Sequence, residues 1–161
     1  MNKFEEWSHP DVRKAYRNYF QTLIDELRTK HNFTSAEKAQ PENNYLFTSG
    51  FTGITFYTSF IRSEKVRVDV IIDFKDFEKN KIFFDKLYQQ KTSFENAFGE
   101  KLSWERKDDH RHCRISILRD GTIHSSSYKL DEIRNWTIAN LLKMKKVLLP
   151  KIKAFANDFA K

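Results

Sequence analysis

The chain has 161 residues, with 29 Lys and Arg against 22 Asp and Glu, a formal net charge of +7 and a pI of about 9.4. One cysteine, Cys113, excludes an internal disulfide, and no apolar run approaches the roughly 18 residues of a membrane span. The charged start MNKFEEWSHP does not read as a signal peptide. The expectation is therefore one cytoplasmic domain, residues 1–161, large enough to fold without a disulfide or a metal. The basic balance favours a polyanionic partner through phosphate neutralisation, or else reflects solvated lysine faces.

The first predicted element is a helix from about Pro10 to Lys30. Val12, Tyr16, Phe20, Leu23, Ile24 and Leu27 recur at three- and four-residue spacing. Ser8 is the expected N-cap, with Asp11 completing a capping box and Trp7 as a staple. A polar loop, 32–44, follows.

Three strands come next: Tyr45–Ser49, Ile54–Ile61 and Val66–Phe74. In the third, Val66, Val68, Val70 and Ile72 alternate with Arg67, Asp69 and Ile71, which marks a sheet with one buried face. Short connections predict an antiparallel meander.

A single helix from Phe77 to Phe98 is expected, with Phe83, Phe84, Leu87, Tyr88, Phe94 and Phe98 inward and Gly99 as its stop. Strands Lys101–Lys107 and Cys113–Arg119 follow, joined by the charged loop Asp108–Arg111. After an irregular stretch, Asp120–Tyr128, a last helix runs from Leu130 to Phe159. Pro150 should kink or divide it. The fold class is α+β: a mainly antiparallel five-stranded sheet with helices on one face, in the order α-βββ-α-ββ-α.

The middle of the chain carries a set of residues that belong together. They are Gly53-Ile54, the strand Val66–Asp73, Asn80-Lys81, Phe84–Lys91, Phe94-Glu95, Phe98–Glu100, Leu102–Arg106, Asp108-Asp109 and Arg114-Ile115. With Trp136 and Pro150 in the last helix, this arrangement resembles the family catalogued as domain of unknown function 4268, over residues 45–155. The resemblance implies a setting in nucleic-acid processing or defence, because members often follow a domain that looks like a restriction-type nuclease. It implies no reaction of the domain's own. The chain departs from the family tendency at Asp69, where glutamate is usual, and in the histidine-rich run His110–Cys113.

Four constellations carry candidate chemistry. Asp69, Asp73 and Lys75 have the residue types of a Mg²⁺-dependent nuclease site, in which carboxylates hold the ion and a lysine assists the attacking water. No partner aspartate lies on the preceding strand, so these read first as strand-end charges. His110, His112 and Cys113 could contribute to a zinc site only with a second pair, which is lacking, and no metal or cofactor is expected. Cys113 with a histidine, or Ser125–Ser127 with His124, offers nucleophile and base without a recognisable scaffold.

The fourth is a basic surface. Arg67, Arg106, Lys107, Arg111 and Arg114 come from strands and their turns, beside Trp104. Lys145 and Lys146, with Lys143, Lys151 and Lys153, come from the last helix. The leading expectation is a non-catalytic binding or accessory module whose partner is nucleic acid or a protein. The alternatives are the small Mg²⁺-dependent nuclease, and a homo-oligomer that pairs through the apolar stripe of the last helix.

Overall fold

The computed structural model describes residues 3–159, with side chains from Glu6 onward. Its elements are α1 (Lys3–Ser8), α2 (Pro10–Thr29), β1 (Asn44–Phe51), β2 (Ile54–Ile61), β3 (Lys65–Ile72), α3 (Phe77–Gln89), α4 (Lys91–Phe98), β4 (Ser103–Glu105), β5 (Cys113–Asp120), α5 (Ser127–Lys143), a π-helical turn (Met144–Leu148) and α6 (Leu149–Phe159). Five antiparallel strands form one sheet in the order β1-β2-β3-β5-β4, which gives the expected α+β class. No described helix is long and apolar enough to cross a membrane.

The chain gathers into two compact units. The first takes the chain up to Leu46 with Thr58–Arg67 and Leu118–Ala139. Its core is aromatic: Phe60 of β2 meets Tyr19 at 4.9 Å and Tyr16 at 5.6 Å between ring centroids, and Tyr19 crosses Phe20 edge-on at 5.1 Å. Such edge-to-face pairs add to the apolar burial. Burial of the ring, then the charge of Glu6, pushes the Tyr16 phenol up to about 12. Helix α2 is capped by His9, whose Nδ1 accepts from the Asp11 amide at 3.2 Å. The expected Ser8 cap fails because Ser8 and Trp7 belong to α1.

The second unit takes Phe47–Tyr57, Val68–Ile117 and the chain from Asn140 onward. Trp104 of β4 pairs with Ile115 of β5, and its ring meets Phe84 of α3 and Phe94 of α4 at 6.1 and 5.9 Å. The face bearing Trp104 and Ile115 is thus the one α3 and α4 cover. Glu105 pairs with Arg114 on the opposite face.

Several boundaries depart from expectation for local reasons. The predicted helix 77–98 breaks at Gln90, whose amide donates to the Leu87 carbonyl at 2.9 Å. None of residues 88–93 is buried, so core packing does not hold one helix straight through Gln90. Tyr88, expected inward, is 48% exposed. Strand β4 is three residues rather than seven because its flanking backbone groups go to side chains. The Leu102 amide donates to Glu95 at 2.6 Å, and the carbonyls of Arg106 and Lys107 accept from Lys81. The last helix stays helical through Pro150, but a π turn interrupts its α spacing just before the proline. The Leu149 amide donates to the Met144 carbonyl, a π spacing that widens the helix where proline lacks a donor.

Candidate functional site

Three of the four arginines expected on a basic surface, Arg106, Arg111 and Arg114, are met by carboxylates. Arg106 Nε lies 2.9 Å from Asp85, and its fork also contacts Asp108. Arg111 grips Asp73, with Nη2 at 2.8 Å. Arg114, its side chain only 12% exposed, stands 3.4 Å from both the fully buried Asp69 and Glu105. Lys107 adopts φ 56°, and its carbonyl accepts from Lys81 and from the His110 amide. Arg67 is half-buried on β3. Arg106, Arg111 and Arg114 therefore form local ion pairs rather than a continuous positive field.

The acidic candidates are used in the same way. Asp73 lies just past β3. Partial burial opposes its ionisation, but hydrogen bonds from Arg111, the Lys75 amide and Asn80 prevail and hold its carboxyl at about 2. Lys75 takes φ 67° in the turn after it. Asp69 is committed to Arg114, as Asp73 is to Arg111. Among the described residues no three His, Cys, Asp or Glu side chains are gathered to hold a metal.

Cys113 is fully buried, and burial raises its thiol pKa, so it is no activated nucleophile. His112 is pushed down by burial and then by Arg114, and its ring stands edge-on to His110 at 5.6 Å. His124 Nε2 is 2.6 Å from Glu6, a contact unrelated to the serines that follow it.

Two residues with a central structural role were not singled out for chemistry by the sequence. Lys81 is 2% exposed. Its ammonium donates to the carbonyls of Arg106, Lys107 and His112 at 2.6, 2.8 and 3.0 Å, and lies 3.5 Å from Cys113 Sγ. Three carbonyls match its three hydrogens. The fully buried Asn80 accepts from the Phe74 amide at 2.7 Å and donates to Asp73 and to the Arg111 carbonyl. Together they staple the 106–112 loop to α3. The available signal was periodic: Asn80 falls on the same helical stripe as Phe83, Phe84 and Leu87.

The last helix is different. Lys145 and Lys146 lie side by side and exposed in the π turn. Lys143 sits 4.2 Å above the Phe98 ring and 3.5 Å from Glu100. Lys151 donates to Ser93 Oγ at 3.1 Å and lies over Phe94, while Lys153 lies over Phe51. The ammonium groups of these three lysines lie over aromatic rings, as cation–π contacts require. The apolar stripe beyond Pro150 packs in part within the unit: Phe155 meets Phe94 at 6.0 Å and Phe159 meets Phe83 at 5.7 Å, both rings staying half-buried.

A family model described as Domain of unknown function (DUF4268) matches residues 15–151. The chain belongs to the DUF4268 family. The match reaches further toward the N-terminus than the motifs of the middle segment do, and takes in most of α2. All the paired arginines and Lys143–Lys146 lie inside the DUF4268 match. No curated protein and no solved structure matches the chain.

Proposed function

We propose that this DUF4268 chain is a non-catalytic binding module that docks on nucleic acid through its last helix. One observation carries the reading. Residues 135–157 contain five lysines and no carboxylate; Lys143 is offset by Glu100 from outside the stretch, and Lys145 and Lys146 are both exposed. A helical stretch with charge of one sign attracts phosphates and releases their counterions. Lys145 and Lys146 are its foremost contacts because the π turn presents both at the surface. Such contacts position a protein on the backbone without reading sequence. In a defence or genome-maintenance setting the module would hold a catalytic neighbour on its substrate. Asp69, Asp73 and Lys75 take no catalytic role in this reading, since both carboxylates are committed to arginines.

The test is binding of the purified chain to short single- and double-stranded DNA and RNA across a salt series, with Mg²⁺ present and the products resolved on a gel. Binding that weakens steeply with salt and leaves the strands intact supports the module. Cleavage that is lost in Asp73→Ala would replace it with the nuclease. Neither binding nor cleavage at low salt would remove both.

A further inference from the structure

The first unit has a cleft of its own, of about 620 Å³, between the end of β5 and the outer side of α5. Its lining includes Arg119, Gly121, Ser125, Lys129 and Trp136. We propose that this cleft binds a nucleotide unit, an aromatic base with its phosphate.

Its aromatic wall is the half-buried Trp136, with the Arg119 guanidinium 6.0 Å from the ring centroid. Indole and guanidinium planes are the surfaces on which bases stack. Arg119 Nε is tied to the Asp120 carbonyl at 3.0 Å, which fixes the side chain along the cleft. Its two Nη groups meet no protein acceptor among the described residues, and the Lys129 ammonium has no carboxylate partner among them. The one acidic side chain of the lining, Asp120, is neutralised by Lys65 at 2.5 Å. The cleft therefore offers a stacking surface and a net positive rim, the two features a nucleotide requires.

The cleft is built rather than incidental. Gly121 allows the loop after β5 to pass close to α5. A Cβ there would stand 2.7 Å from Ile133 Cδ1 and 3.0 Å from Val66 Cγ2. The loop is then closed by its own bonds: the His124 amide donates to Thr122 Oγ1 at 2.8 Å and the Ser125 amide to the Thr122 carbonyl at 3.1 Å. Ser126 caps α5 by accepting from the Lys129 amide at 3.3 Å, which places the Lys129 side chain at the rim.

The nucleotide unit could come from a free nucleotide or from an unpaired base in a single strand, and one experiment separates them. The indole N–H resonance of Trp136, assigned through Trp136→Phe, is followed by NMR in the ¹⁵N-labelled full chain. The additions are AMP, UMP, a short single-stranded oligonucleotide and, as a control, inorganic phosphate. A saturable shift with AMP or UMP, weakened about tenfold in Lys129→Ala, supports the proposal with a free nucleotide as ligand. The same behaviour with the oligonucleotide alone supports it with a strand as ligand. No shift with either, an equal shift with phosphate, or a shift indifferent to both Lys129→Ala and Arg119→Ala overturns it. Lys129 is exposed, so its truncation leaves the fold intact. The proposal does not rest on the lysines of residues 143–153: Lys145→Glu/Lys146→Glu should leave the mononucleotide response unchanged, and a chain that fails to bind polymers through those lysines can still show it.

Discussion

The Lys81 ammonium lies 2.6 Å from the carbonyl oxygen of Arg106, inside a ring of backbone carbonyls that it holds in place of a strand ladder. Removing that charge leaves the part-buried Arg106, Lys107 and His112 carbonyls without their donor. A buried acceptor stripped of its partner costs its desolvation. Lys81→Met keeps the stem and should destabilise the chain by about 3 kcal/mol. Urea unfolding at neutral pH checks this. The amide-exchange rates of residues 106–112 should rise more than those of α2.

The Asp73–Arg111 pair gives an acid-side prediction. The Asp73 carboxyl is lowered from 3.8 to about 2 in the folded chain. A depressed carboxylate contributes stability that is present above its unfolded value and is lost as pH falls through its folded value. The contribution should therefore be intact at neutral pH and disappear from about pH 4 to pH 2. Its size should be about 1 kcal/mol after allowing for the half-exposed Arg111. Asp73→Asn should lower stability at neutral pH and match the parent chain near pH 2. Unfolding curves across that range decide it.

Glu95 organises the start of β4. Its Oε2 accepts from the Leu102 amide at 2.6 Å and from the Trp104 indole at 3.4 Å. Glu95→Ala should cost about 2 kcal/mol, and Glu95→Gln, which keeps an acceptor, distinctly less. Near-ultraviolet circular dichroism should change in the alanine variant, because Trp104 loses a contact that fixes its ring.

Gly53 closes the β1–β2 turn at φ 88°, where a Cβ would lie 2.2 Å from the Phe74 ring. Gly53→Ala combines left-handed strain with a steric clash, and should cost about 2 kcal/mol or more. Gly50, also at positive φ but with open space around it, should tolerate alanine better. A paired comparison of thermal unfolding separates clash from backbone strain.

How much of this was legible beforehand follows from the range of each interaction. Ile54–Ile61 could be read to the residue because its apolar run is bounded by a turn on each side. The one-sided alternation of β3 was equally plain. Side chains that terminate elements from a distance were not. Nothing near Lys101–Lys107 signals that Glu95 and Lys81 withdraw its backbone groups from the sheet. The His9 cap was hidden because Ser8 is the better capping residue by type, and only the short α1 removes it. Among the candidate site residues, charge alone made Arg106, Arg111 and Arg114 look like a binding surface. Their partners Asp85, Asp73 and Asp69 are 21, 38 and 45 residues away in the chain, and local pattern does not reveal such pairs. The lysines of the last helix could be read directly, because no carboxylate falls near them in sequence.

The most direct test of the docking module is the salt dependence of nucleic-acid affinity in the parent chain and in Lys145→Glu/Lys146→Glu. If the last helix carries the phosphate contacts, the double variant binds more weakly on every sequence, and its log–log slope against salt is shallower by about 2. The unchanged fold is confirmed by circular dichroism. A parent chain that binds with a steep slope which the double variant reproduces would contradict the account, and would move the contact surface elsewhere on the chain.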